Sequence, residues 1–460
     1  MARKLFAVVV VALALPASAS AWTKSDEVVT MPDGIPVATT LYLPDATAPA
    51  GGWPGIVMAH GLGQNRTSTN ALAEQLYVPR GYAVLTYDAR GHGASGGVVD
   101  VDGPAEIGDV KLLFERLRAR PDVKDDSVGG WGISYGGGAM LRSAGEGVPW
   151  AALSLFETWS DLYSALFPQN LPKSGIILGF LSAIARPSPL IAAVRDAAVS
   201  GTNLSALREE SAARSSRQLL SRVRVPTFWA QGKRDYAFDL TQATSAYALL
   251  QGPKRLWLGN LGHAPSTFPS DDFPAYAERS VAWYDRYLKG LPTGAETGPR
   301  VEIAPTPYVA SGVRRYAGLP PTTKIAAQTT FRAGRTIAAN AKVVTTPVRL
   351  RRAATLFGSA TVRVTATARG SWPQLVAVLS QGSRVLATGG VPTPQLGARP
   401  RTVTIRLSAW SAPVPRGARL TLTLAQTSTA QSPDTPVYLL AKDAGTLTVR
   451  KVALTVPTLR

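Results

Sequence analysis

The 460 residues suffice for two or three domains, and 45% apolar with 17% charged residues is a globular composition with ample material for a core. The absence of cysteine excludes disulfides, thiol catalysis, thiolate metal sites and an acylated N-terminal cysteine. The net charge of +19 is unevenly placed: residues 1–299 carry 27 Lys and Arg against 27 Asp and Glu, residues 300–460 carry 22 against 3, and the two parts are expected to do different jobs.

Residues 1–21 open with Arg3 and Lys4, continue as an apolar run from Leu5 to Leu15 and end in small residues. This is the pattern of a secretory signal peptide with cleavage after Ala19 or Ala21, and the run is too short to cross a bilayer comfortably. A secreted or envelope-associated protein is expected. The stretch DEVVTMPDGIPVATTLYLP alternates apolar and polar residues on either side of Asp33-Gly34, which predicts a β-hairpin. Strand-like apolar runs follow at 55–60, 82–87, 127–132, 151–156, 227–231 and 255–259. Helical patterns, such as 105–118 and 240–250, separate most of them. Alternation of this kind predicts an α/β domain over residues 22–299 with a mostly parallel sheet covered on both faces.

The connection from Phe156 to Thr227 is too long for a simple crossover and is rich in helix formers. It predicts a helical cap over about 157–226, at the carboxyl edge of the sheet where ligands bind. Within it, Gly175–Val194 is apolar but broken by Arg186, Pro187 and Pro189, and reads as a mobile or cavity-lining helix pair. The last helix of the unit ends at Gly290. From residue 300 the chain becomes rich in Thr, Val, Arg and Pro, with short alternating runs such as ATVRVTATARG, QLVAVLSQ and RTVTIRLSAW. Residues 300–460 are expected to form an all-β sandwich.

The segment GGWGISYGGG, Gly129 to Gly138, joins a strand to a helix and admits three readings. Its glycines loosely match a dinucleotide-binding fingerprint, but the motif sits in the third strand–helix unit, and an exported protein meets little nicotinamide cofactor. It is also compatible with a turn whose glycines allow close packing of helix on sheet. The third reading is a nucleophile elbow, Gly132-Ile133-Ser134-Tyr135-Gly136, in which Ser134 stands at a strained turn and both flanking positions must be small.

Residues further along the chain give the third reading its weight. Of three histidines, only His263 lies beyond Ser134, after the last parallel strand. Serine, acid, histidine is the chain order of such sites, and Asp235, just past the strand 227–231, is the acid. Asp239 is better placed to cap the helix from Leu240. Two backbone N–H groups must face the developing oxyanion: Tyr135, next after the nucleophile, and Leu62 in the loop HGLGQNRTS. His60 and His92 read as residues that order loops.

Together AHGLGQNRTS, RGYAVLTYDARGHGASGG, GGWGISYGGG, WAQGKRDYAFD and LGHAPS resemble the Xaa-Pro dipeptidyl-peptidase-like serine hydrolases, which include cocaine esterase-like acyl hydrolases. The resemblance implies an α/β-hydrolase core with helical cap and a C-terminal jelly-roll-like domain. It implies Ser134 as nucleophile, Asp235 as acid, His263 as base, and no metal or organic cofactor. The expected activity is cleavage of an acyl bond, dipeptidyl-peptidase-like or esterase-like, through an acyl-enzyme. Members that cleave dipeptides need acidic groups for the substrate's amine. Glu157 and Asp161, with Trp159 between them at the mouth of the cap, are candidate substrate-binding residues. A small peptide or ester is the expected substrate. The basic β-domain is expected to attract an anionic envelope polymer or lipid surface, which leaves as an alternative an envelope-binding protein with incidental hydrolase activity, and no nucleic acid is expected.

Overall fold

The described chain opens with the predicted hairpin: β1 (Trp22–Thr30) runs antiparallel to β2 (Pro36–Pro44), with Gly34 in the turn at φ +82°. The computed structural model describes residues 22–266, 269–339, 341–429 and 436–460. The signal-peptide reading of residues 1–21 falls outside them.

The strands β3 (Trp53–Ala59), β4 (Ala83–Tyr87), β5 (Val123–Ile133), β6 (Ala152–Phe156), β7 (Thr227–Gly232) and β8 (Lys254–Gly259) are parallel to one another, and β2 joins them antiparallel through β4. Every residue of β4, β6 and β7 is buried, as expected for strands covered on both faces. The covering helices are α1 (Arg66–Leu72), α2 (Pro104–Arg118) and α3 (Tyr135–Gly145) before the cap. The cap contributes α4 (Leu162–Leu166), α5 (Ser174–Leu181), α6 (Pro189–Ser200) and α7 (Leu204–Ala213). After it come α8 (Leu240–Leu249) and α9 (Phe273–Lys289). Local chemistry sets their ends. Pro104 opens α2, where Glu106 accepts from the Asp100 and Gly103 N–H groups. Asp239 caps α8 by accepting from the Thr241 N–H, and α9 stops at Gly290 with φ +75°.

The first sheet has ten strands in the order β1-β2-β4-β3-β5-β6-β7-β8-β9-β10. Its last two, β9 (Val301–Ile303) and β10 (Arg314–Tyr316), lie beyond the change in composition at residue 300, so sheet membership carries the first unit on to Tyr316. The reason is pairing: β9 completes the edge of β8, which the amino-acid composition of three residues does not reveal.

The remainder forms two four-stranded antiparallel sheets, ordered β11-β18-β13-β16 and β12-β17-β14-β15. Their strands are β11 (Thr322–Ala338), β12 (Val343–Arg349), β13 (Ala354–Arg369), β14 (Gln374–Gln381), β15 (Arg384–Pro392), β16 (Arg401–Val414), β17 (Arg419–Ala425) and β18 (Thr446–Leu459). A separate apolar core, including Trp372, Leu379, Ile405 and Leu454, fills the space between them. This β-domain grips the loop after β7. The Ala409 N–H donates to Asp239 Oδ2, the Ser411 N–H to the Lys233 carbonyl, and the Trp410 ring lies 5.2 Å from that of Tyr236.

Candidate active site

Ser134 lies at the junction of β5 and α3 with φ +52°, a conformation costing a non-glycine residue about 1–3 kcal/mol. The surroundings hold it there. Its N–H donates to the Phe156 carbonyl at 2.8 Å, and its own carbonyl accepts from Thr158 Oγ1 at 2.7 Å. The flanking glycines are steric requirements. A Cβ on Gly132 would lie 2.3 Å from the Gly136 carbonyl oxygen, and one on Gly136 would lie 2.4 Å from that of Ala59. Gly137 and Gly138 answer the close-packing reading, since a Cβ would sit 2.7 Å from Thr158 and 2.3 Å from Asp102 Oδ2 respectively.

The structure brings the three chain-distant side chains together. Ser134 Oγ is 2.9 Å from His263 Nε2, and His263 Nδ1 is 2.8 Å from Asp235 Oδ2. Asp235 is wholly buried. Its Oδ1 accepts from the Ala237 and Phe238 N–H groups, and its Oδ2 also accepts from the His263 N–H. Buried Lys173, at the start of α5, donates from Nζ to the Tyr236 and Ala237 carbonyls and so ties the cap to the same loop. Phe180 and Phe238 pack edge-on against the imidazole, with ring centroids 5.6 and 5.0 Å away. Burial acts to lower the His263 pKa, but the charge and hydrogen bond of Asp235, with Glu157 adding, push it up to about 9.

Leu62 and Tyr135 border the same space as Ser134, and neither backbone N–H has an acceptor among the described residues. The neighbouring donors of the first loop are engaged: the Gly61 N–H by Gln64 Oε1 and the Gly63 N–H by His92 Nε2. His92 Nδ1 donates to the Arg90 carbonyl, so its ring is held in one tautomer with Nε2 free to accept. His60 does the same from Nδ1 to the Gly61 carbonyl while its Nε2 accepts from the Ala89 N–H. Burial lowers both pKa values, that of His60 to about 4, which keeps these acceptors neutral. Both histidines order loops around the site. Gln64, Thr158 and Lys173 were not legible as supports, because nothing in their local sequence marks the atoms they reach.

A cavity opens from Ser134 under the cap. Phe180 and Leu181 of α5, Ile191 and Val194 of α6, and Leu207 of α7 form its walls, so the broken apolar stretch 175–194 lines a cavity. Trp159 stands at this wall, its indole N–H donating to the Arg214 carbonyl. Glu157 and Asp161 are not part of it. Asp161 caps α4 by accepting from the Ser164 N–H. Glu157 is buried behind the catalytic candidates, where one of its oxygens, a ring nitrogen of His263 and an Asp235 oxygen all lie within 4.8 Å of one another. Those three are also the side chains among the described residues that could jointly face a metal ion, but two of them are hydrogen-bonded to each other. The acid that does touch the cavity, Glu210, is paired with Arg214 at 2.8 Å, and Arg214 in turn with Asp100.

A parallel sheet with a strained serine at a strand–helix turn, a capping insertion and a following acid and histidine defines an α/β hydrolase. A family model described as X-Pro dipeptidyl-peptidase (S15 family) matches residues 33–265, just over half of the chain, and the chain belongs to that family of serine hydrolases. A thiohydrolase of Aspergillus aculeatus is 31% identical over 114 residues, 24% of this chain and 34% of the relative, so the match spans about a third of that protein. The fold as a whole is similar to that of a CocE/NonD family hydrolase from Staphylococcus aureus, with a TM-score of 0.73 at 13% identity over 95% of this chain and 94% of that one. An α-amino acid ester hydrolase superposes with a TM-score of 0.69 at 14% identity, covering 96% and 98% of the two chains.

Proposed function

We propose that this protein is an exported carboxylic ester hydrolase that acts on apolar acyl groups through Ser134, His263 and Asp235. His263 Nε2 takes the Ser134 Oγ proton as the oxygen attacks the substrate carbonyl. The Leu62 and Tyr135 N–H groups hold the oxyanion. The imidazolium, steadied by Asp235, returns the proton to the departing alcohol, and water then releases the acyl group by the reverse proton path.

The choice of ester over dipeptide rests on the cavity. An Xaa-Pro substrate brings a free ammonium group that needs an anionic partner, and burying it unpaired is costly. Here the walls are aliphatic and aromatic, and the carboxylate among them, Glu210, already holds Arg214. With aryl esters of rising acyl length, kcat/KM is expected to climb about fourfold per methylene, from about 0.8 kcal/mol per buried CH2, until the cavity is filled. Xaa-Pro anilides are expected to react at least about 100-fold more slowly than the best ester. Faster cleavage of the anilides, with no gain from acyl length, would return the reading to a dipeptidyl-peptidase.

Export is supported by the basic, apolar and small-residue order of residues 1–21. A second role is supported by a groove at the edge of the β-domain, where Lys324, Arg349, Arg351, Arg352 and Arg460 are all exposed and, among the described residues, no Asp or Glu side chain contributes to the wall. Such a surface suits a linear anionic envelope polymer, through an attraction screened over about 10 Å at 0.1 M salt. The full chain is expected to stay on a polyphosphate matrix in dilute buffer and leave it by about 0.5 M NaCl, with earlier release when Arg351 and Arg352 are replaced by Glu. Flow-through at low salt would remove this role without touching the hydrolase.

A further inference from the structure

Glu157 ends β6 under three costs at once. Its φ is +41°, in the region that favours glycine. The side chain is buried, with 5% of the residue exposed. Its Oε2 has no hydrogen-bond partner among the described residues. A glycine or alanine would remove the buried carboxyl group, and glycine the backbone strain as well. Glu157 is nevertheless fixed firmly: its N–H donates to the Ala230 carbonyl of β7 at 2.8 Å, which is the strand that delivers Asp235. The effect is to set a second carboxyl group beside the His263–Asp235 pair, every pairwise approach falling within 4.8 Å.

We propose that Glu157 is a positioning residue for His263, a second carboxylate that stabilises the imidazolium formed when the serine gives up its proton. This rests on the triad of the proposed hydrolase. Asp235 accepts the hydrogen bond from Nδ1 and fixes the ring, whereas Glu157 acts through space on its charge. The groups that bear on the imidazole are Asp235 and Glu157, which favour its protonated form, and the buried ammonium of Lys173, which opposes it. Glu157 in turn feels burial first, which raises its pKa to about 8, then the pull of His263 and the push of Asp235. Imidazole and carboxyl thus titrate as a coupled set in which a proton gained by His263 favours loss of the one on Glu157. Where Glu157 is already a carboxylate, the positive charge formed on His263 during turnover meets an anion in place, and the only proton that moves in the step is the one passed from Ser134 Oγ to His263 Nε2.

The test is the pH dependence of kcat/KM for one aryl ester, compared between wild type and Glu157→Gln. His263 must be neutral to accept the serine proton, so the acid limb reports its protonation. Loss of the nearby anion should move that limb down by about one pH unit and lower the plateau rate. Glu157→Asp should recover part of both. A limb that stays in place, with only the rate or the melting temperature altered, would show Glu157 to be structural. In parallel, the imidazole of His263 is titrated by nitrogen-15 NMR in Ser134→Ala and in Ser134→Ala/Glu157→Gln. The other two histidines have depressed pKa values and stay out of the window. Equal His263 midpoints in the two proteins would overturn the proposal even if Glu157→Gln were poorly active. Persistence of activity in Ser134→Ala alone would instead overturn the triad.

Discussion

Ser134→Ala is expected to lower kcat by roughly 10⁴–10⁶-fold and to abolish labelling by a fluorophosphonate probe, with the melting temperature little changed. Among the described residues the hydroxyl makes one hydrogen bond, with His263 Nε2, so its removal takes away the proposed nucleophile and little else. On the proposed mechanism, what survives is the contribution of the Leu62 and Tyr135 N–H groups and of binding in the cavity. His263→Ala should fall to a similar floor, since residues that act as one unit lose most of their effect when any member is removed. Labelling of Ser134→Ala at the wild-type rate would mean that another nucleophile does the work.

Gly136→Ala is expected to destabilise the fold by more than about 3 kcal/mol, or to prevent soluble expression. The added carbon would sit 2.4 Å from the Ala59 carbonyl oxygen, in backbone that β3 contributes to the centre of the sheet. Neither side can yield: β3 is paired on both edges, and the Gly136 N–H is itself bonded to the His60 carbonyl. The matched control is Gly108→Ala. Gly108 lies on the exposed side of α2 with nothing within 4 Å of an added Cβ, and alanine there should stabilise by about 0.5–1 kcal/mol. Urea unfolding of the two variants checks both signs, and equal effects would show that packing around the serine turn is loose enough to admit a methyl group.

The two expected results mark how much of the site was legible. Steric necessity writes itself locally: a turn that holds a serine at positive φ needs small residues two places to either side, and Gly132 and Gly136 are there to be read. The same is true of Asp33-Gly34 in the hairpin and of Asp239 as a helix cap, because each of these acts on backbone a few residues away. With three histidines in the chain, and one beyond Ser134, the choice of His263 followed from order alone.

Other features had no local mark. The strands β11 and β12 are not among the alternating runs read from the sequence. β11 is mostly exposed and rich in Thr, Ala and Arg, and it exists because β18 supplies its hydrogen bonds. The grip of Ala409 and Trp410 on the acid loop joins residues some 170 positions apart. Glu157 was legible as an acid at the end of a strand, not as a neighbour of His263. That proximity depends on β6 lying beside β7 and on a backbone angle which residue type alone argues against.

By itself, then, the order of residues determined the alternation of strand and helix, the serine turn, the identity of its base and acid candidates, and the split between a neutral and a basic half. Closure of the sheet decided the rest: which carboxyl groups crowd the imidazole, how apolar the space under the cap is, and where the first unit ends. The physical reason is one of range. Periodicity, capping and steric exclusion act within a few residues, whereas electrostatic environment and cavity shape are properties of surfaces that meet only after the chain has folded.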